Sequence, residues 1–278
     1  MPCVEDALTR LKGLPALPTV MSRILATIAD PDASALDLSP HISADQSLTA
    51  SLLRIVNSVY YGHYRRVANI TSAIVMLGFR EVCNLALATT TFRTFLAGHA
   101  HYDRTQLWRH SLAAAMAAER LANALGMPVE GCFVSGLLHD IGKVVFDVLY
   151  PERFQQAIRE AHTGNAFIRD IEPRYLGMDH AAVGRLLAEQ WDLPPSVVNT
   201  IAHHHKNAAD RRTPSLADVV SVANIMTYRA DLGEASNGRA PEGPSDGLFG
   251  LTAQQWDALA QELAESRPRI DEFLGALA

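Results

Sequence analysis

Apolar residues recur at the three- and four-residue spacings of helices almost from end to end of this chain, and no stretch sustains the alternation that a strand needs. The pattern predicts an all-α protein. After the extended LPALP, Met21, Ile24, Leu25 and Ile28 share one face of a helix over 20–29, which Asp30-Pro31 stops. A short helix over 34–39 follows, then one over 47–58 with Leu48, Leu52, Leu53 and Val56 inward. Thr71 is placed to cap 72–77, Gly78 interrupts, and a longer helix resumes over 79–95. The linker reads GHAHYD.

Beyond it, Asp103 is placed to cap a long helix ending at Gly126, and Pro128 to open the next, whose run is FVSGLLHD. Further helices are expected over 141–149, 151–161, 180–190 behind Asp179, 196–203 behind Pro194, and 216–230 behind Ser215. The stretch LGEASNGRAPEGPSDGLF has no packing face and predicts a mobile loop, followed by helices over 252–264 and 267–277 packed on one lobe. The expected organisation is an N-terminal helical lobe over 1–102, a helical domain over 103–230, and a mobile loop with C-terminal helices over 231–278.

Composition narrows the functional classes. At 278 residues, with 48% hydrophobic and 19% charged residues, the chain can bury a core without disulfides or structural metal. Its net charge of -6 supplies no global field for nucleic acid or an acidic membrane. Neither a signal-peptide core nor an 18-residue apolar run is present, so membrane insertion is not expected. Cys3, Cys83 and Cys132 are too widely spaced for a disulfide framework or zinc knuckle, which makes the cytoplasm the expected compartment.

The candidate chemistry lies in histidines whose contexts differ. His110 sits inside an amphipathic helix, His139-Asp140 ends an apolar run, His180 opens a helix, and His204-His205 follow His203 at the end of another. An aliphatic run such as FVSGLL carries the next two side chains inward, and a buried carboxylate needs a cation or several donors. His and Asp can serve one ion only if the backbone bends between or beside them, which the following Ile-Gly would allow. Lys143, four residues past His139, could face the same site and meet a phosphate oxygen. One or two divalent ions, iron, manganese, nickel or zinc, would accept such donors. Taken singly, each histidine reads as an ordinary core or helix-end residue.

With LLHDIGK, HAAVG and IAHHHK in this order, the second half resembles an HD-superfamily phosphohydrolase domain, including the additional histidines of the HD-GYP cyclic-dinucleotide phosphodiesterases. The first half, through LPALPTVMSRILATIADP, DQSLTASLLRIVNSVYYG and ITSAIVMLGFREVCNLAL, resembles the HDOD domain, a bacterial signalling relative. The resemblance spans about 14–230 and implies an N-terminal bundle packed on an HD-type domain. It implies metal ligands at His110, His139, Asp140, His180, His204 and His205, and, were the protein an enzyme, catalytic roles for Asp140 and Lys143.

Two departures from the pattern follow. Asn224 stands where the last ligand should be Asp, and Asp218 is six residues away from that position. After His205 the chain reads KNAADRRTPS in place of the HD-GYP phosphate-facing stretch, with Lys206 where a Glu belongs. With Asp140 the sole anion among the ligands, a metal pair would be poorly neutralised. The resemblance therefore implies a signalling output or adaptor module acting through protein interaction. The partner expected is another bacterial signalling protein, such as a fused or separate receiver domain of a two-component system. The alternative is a metal-dependent phosphohydrolase or phosphodiesterase acting on a nucleotide or cyclic dinucleotide. In NSVYYG, Asn57 is expected to cap carbonyls while Tyr60 and Tyr61 seal the bundle or, with Arg65 and Arg66, face a partner or nucleotide.

Overall fold

A computed structural model describes residues 16–30, 32–58, 66–96, 104–206, 214–233, 239 and 248–277. Among them all regular structure is helical, as the hydrophobic spacing predicts. The described residues divide into two compact units, one within 16–96 with 267–277 and the other within 104–266.

The first unit begins with α1 (Thr19–Ala29), α2 (Ala35–Ser43), α3 (Gln46–Val56), α4 (Ile70–Leu77) and α5 (Phe79–Leu96). Ser34 and Asp37 close a capping box at the start of α2, which runs through Pro40 to Ser43 and so outlasts the expected stop at 39. On α3 the buried positions are Leu48, Leu52, Ile55 and Val56. Leu53 is only half-buried, because Ile55, three residues after Leu52, takes the core position expected of it. Asn69, not Thr71, caps α4: its Oδ1 accepts from the Ser72 N–H at 2.8 Å, while the Thr71 hydroxyl meets that of Ser39 at 3.0 Å. Asn57 ends α3 as expected. Its Nδ2 donates to the carbonyls of Leu53 and Val67, and its Oδ1 accepts from Val67 N–H at 2.7 Å, which clasps the two sides of 59–65. Tyr60, Tyr61 and Arg65 lie outside the described residues.

The second unit contains α6 (Arg104–Ala124), α7 (Cys132–Leu138), α8 (Ile141–Leu149), α9 (Pro151–Thr163), α10 (Ile168–Leu176), α11 (His180–Gln190), α12 (Pro195–His203), α13 (Leu216–Arg229) and α14 (Ala253–Ala264). Helix α6 packs against α7, α13 and α14, while α11 packs against α8 and α12. Pro128 does not open α7. Gly131 at φ 80° lies between them, a backbone conformation no right-handed helix can contain, and α7 starts just after it. Asp103, the expected cap of α6, is outside the described residues, as is most of the expected loop over 231–250.

The closing helices go to different units rather than to one lobe. Helix α14 lies on α6, whereas α15 (Arg267–Leu277) lies on α3 and α5, burying Ile270 and Phe273. Phe273 meets Phe92 edge to face at 5.6 Å, and Arg269 pairs with Glu81. No described helix is long and apolar enough to cross a membrane.

Candidate metal centre

Small residues let the helices of the second unit approach closely enough to gather the histidines. Ala113, Ala114, Ala115, Ala117 and Ala118 of α6 are buried, and a Cβ on Gly136 of α7 would lie 2.6 Å from Ala115 Cα. That approach brings His110 Nε2 to 3.3 Å from His139 Nε2. The chain leaves the helix at Asp140 (φ -101°, ψ 13°) and re-enters it at Ile141, so the bend expected beside the His-Asp pair is present. Gly142 has a further purpose that its sequence context did not announce. A Cβ there would sit 1.9 Å from the His180 carbonyl oxygen, so only glycine lets the start of α8 lie against the start of α11.

Around Asp140 the donors fall into two groups. His110 and His139 present Nε2 at 3.8 and 3.4 Å from Oδ2. His180 and His204 present Nε2 at 3.2 and 3.5 Å from Oδ1, with His205 Nε2 2.7 Å from that of His180. Within each group the candidate donor atoms all lie within 4.8 Å of one another. Five of these six side chains are buried and His205 is half-buried.

The opposite edge of each imidazole is tied to the fold. His139 Nδ1 donates to the Gly136 carbonyl at 2.7 Å, and His204 Nδ1 to that of Ile201 at 2.8 Å. His110 Nδ1 meets Thr227 Oγ1 at 2.8 Å. That hydroxyl spends its one hydrogen on the Asn224 carbonyl, so the imidazole is the donor. His180 Nδ1 donates to Glu172 Oε2 at 2.6 Å. For His110, His139 and His204 this fixes the tautomer with the Nε2 lone pair inward, the arrangement metal ligands use.

Electrostatics agree with the geometry. Burial alone would raise the Asp140 carboxyl, but the Lys143 ammonium and the surrounding imidazoles outweigh it and hold it well below the ordinary carboxylate value. Burial, joined by neighbouring imidazoles, pushes His110 and His205 well down, and His204 to about 4. Burial also works against a charge on His180, yet the Glu172 carboxylate and Asp140 carry it up to about 9. His180 Nε2 lies 2.7 Å from His205 Nε2 and 3.2 Å from Asp140 Oδ1.

Glu172 and Thr227 carry no motif of their own and were not anticipated. Glu172 is fully buried on α10, a helix whose Pro173 and polar residues hid it. Lys143 is also in the cluster, 1% exposed, its Nζ donating to Asp140 Oδ2 at 2.7 Å. Asn224 is buried against His110, and Asp218 is used in the capping box of α13 with Ser215. His203 bonds Asn199 instead of joining the cluster. Cys83 and Cys132 are buried thiols that belong to neither donor group, and burial pushes the Cys83 thiol up to about 12.

The donor set fits a divalent ion. Asp140 Oδ1, His204 Nε2 and Asn224 Oδ1 are buried without a hydrogen-bond partner, a costly state for lone pairs that a cation would relieve. Imidazole and carboxylate together suit zinc, iron, nickel or manganese.

The model of the HDOD domain family matches residues 14–207. The chain belongs to the HDOD domain family. It is 31% identical to an uncharacterized protein of Treponema pallidum over 92% of this chain, and spans 50% of that relative's length. Among solved structures, an HDOD domain protein of unknown function from Geobacter sulfurreducens covers 99% of both chains at a TM-score of 0.79 and 24% identity. A putative signal transduction protein from Marinobacter aquaeolei covers all of this chain and 62% of its own, at 0.81 and 24%. These likenesses establish the fold; the donor geometry is this chain's own.

Proposed function

We propose that this HDOD protein is a bacterial signal-transduction output or adaptor module that works through protein interaction, its HD cluster acting as a structural frame. The observation that carries this reading is the Lys143–Asp140 ion pair. The lysine that a phosphohydrolase would turn toward a phosphate oxygen instead holds Asp140 Oδ2 at 2.7 Å, and both residues are 1% exposed. Asn224 supplies no charge at the remaining ligand position, so Asp140 is the sole anionic donor of the set.

The donors available to metal are His180, His204 and His205 on one side of Asp140 and His110 and His139 on the other. A bound ion would supply Lewis acidity and lower the pKa of a coordinated water. The completeness of the histidine set supports the second reading, a metal-dependent phosphohydrolase acting on a nucleotide or cyclic dinucleotide, with catalytic roles for Asp140 and Lys143. The setting proposed is the cytoplasm, and the partner a signalling protein such as a receiver domain, fused or separate. The length of the Treponema pallidum relative beyond the shared part leaves room for such a domain there.

Hydrolysis of phosphomonoesters and cyclic dinucleotides, assayed with Mn, Fe and Mg, distinguishes the two. The adaptor reading expects no rate above an Asp140→Ala control. It also expects capture of one partner from the native cell that a Tyr60/Tyr61 double substitution abolishes while Asp140→Ala, if folded, retains it. Robust turnover lost in Asp140→Ala, with no specific partner, overturns it.

A further inference from the structure

The two oxygens of Asp140 are not equivalent. Oδ2 carries the Lys143 ammonium at 2.7 Å, whereas Oδ1 is buried without a hydrogen-bond partner. Among the described residues the imidazoles on the Oδ2 side are His110 and His139, beside that ammonium, and the neighbouring Asn224 brings no charge. On the Oδ1 side stand three imidazoles, His180, His204 and His205. We infer that the centre holds a single divalent ion, bound at Asp140 Oδ1 by His180, His204 and His205, and that Lys143 supplies the positive charge on the Oδ2 side in place of a second ion.

Three considerations lead there. The first is donor number: the Oδ1 group offers four protein donors, a complete tetrahedral set, and the Oδ2 group offers three. The second is spacing. Ligands about 2.0 Å from a zinc-like ion are about 3.3 Å apart at the edges of a tetrahedron. The separations of His180 and His204 from Oδ1, 3.2 and 3.5 Å, are close to that without rearrangement, as are those of the Oδ2 group. Spacing therefore admits an ion at Oδ1, and the choice between the groups falls to donor number and charge. The His180–His205 separation of 2.7 Å is shorter, and His205, half-buried at the end of α12, is the donor best placed to give way.

The third is charge. An ion on Oδ2 would share one carboxylate oxygen with an ammonium in a buried site, where like charges are poorly screened. An ion on Oδ1 instead meets no ammonium, at a position backed by Glu172, whose Oε2 holds His180 Nδ1 at 2.6 Å. This inference concerns metal occupancy alone and stands whether or not the module turns over substrate.

The test uses untagged full-length protein, stripped with chelator and titrated with Co(II) and with Zn(II). Stoichiometry would come from elemental analysis, affinity from competition with a chelating dye, and coordination from the Co(II) visible spectrum. One ion per chain with a tetrahedral Co(II) spectrum is expected. His205→Ala and His204→Ala should each weaken affinity by more than the roughly 10–100-fold that loss of an outer-shell partner costs, while His110→Gln should leave affinity and spectrum unchanged. If His110→Gln does not fold, Thr227→Val, which releases His110 Nδ1 without touching the Oδ1 group, serves in its place with the same expectation. The double variant Lys143→Met/Asn224→Asp should raise the stoichiometry to two ions. Two ions in the wild type, none at all, or loss of the single ion in the folded His110 or Thr227 variant would overturn the inference.

Discussion

Glu172 and His180 meet twice through one oxygen: Glu172 Oε2 accepts the backbone N–H of His180 at 2.8 Å and its Nδ1–H at 2.6 Å. One carboxylate thus fixes both where α11 begins and how the first imidazole on it is turned. Burial disfavours a charge on that imidazole, but Glu172 and Asp140 raise its pKa from 6.5 to about 9. The folded, ion-free protein keeps a proton that the unfolded chain releases above 6.5, so its stability falls as pH rises through about 9. His204, at about 4, acts in the opposite sense. Below 6.5 the unfolded chain takes up a proton that the fold refuses, and stability falls as pH drops toward 4. The melting temperature of chelator-treated protein should therefore peak near pH 6.5, and Glu172→Gln should remove the decline on the alkaline side. A wild-type curve that keeps rising beyond about pH 9 would contradict this account.

An ion bound at Oδ1 must displace the His180 proton. Calorimetric titration with Zn(II) at neutral pH, in buffers of different ionisation enthalpy, should show about one proton released per ion, declining as the pH passes that group's pKa. Uptake without proton release would mean that His180 is neutral in the ion-free state.

Gly142→Ala should be among the most damaging single-methyl additions. Its Cβ would lie 1.9 Å from a backbone oxygen, which cannot turn aside as a side chain could. A loss of about 1–3 kcal/mol or more is expected in urea unfolding, with weakened metal binding because His180 moves. Gly275→Ala on the exposed side of α15 meets nothing within 4 Å and should stabilise by roughly 0.5–1 kcal/mol.

Asp140→Ala deprives a buried ammonium of its carboxylate. Without metal, the cost should be about 3–5 kcal/mol, the range for breaking a buried pair from one side. Adding Lys143→Met should recover part of it, because no charge then remains to be compensated. If the double variant is less stable than Asp140→Ala alone, the ion pair is not what holds this part of the core.

Leu137, 1% exposed in α7 between the two helix approaches, should cost about 2–5 kcal/mol on truncation to Ala. Leu36, 78% exposed on α2, should cost little. Comparable losses at both positions would mean that the core is elsewhere.

The sequence's periodicity was enough to assign the helical class, because most buried faces are apolar at a strict helical spacing. It failed where polar and proline residues interrupt that spacing: α10 carries Pro173 and charged residues along with its buried Ile168, Ile171 and Leu176. Asn69 escaped notice as a cap because Thr71, two residues on, has the same capacity. The ligand cluster was legible through the order of its motifs, since His110, His139, Asp140, His180, His204 and His205 each sit in a recognisable context. The residues behind them were not. Glu172 belongs to a different helix from the histidine it orients, and Thr227 acts through a hydroxyl that no spacing rule singles out. Lys143 was legible as a member of the site, but whether it faced a ligand or its own neighbour Asp140 depended on the side-chain direction that α8 imposes.

The donors reach Asp140 from α6, from the α7–α8 break, from the start of α11 and from the end of α12, so the centre has a history in time as well as a geometry. No short stretch of the emerging chain holds even three of the donors around Oδ1. While the protein is being synthesised, His139 and Asp140 leave the ribosome long before His204 and His205, and the four-donor set exists only after α11 and α12 have docked. An ion cannot then template the early helices, as it does in small zinc modules. It is instead a late arrival whose uptake marks a second unit that has finished folding.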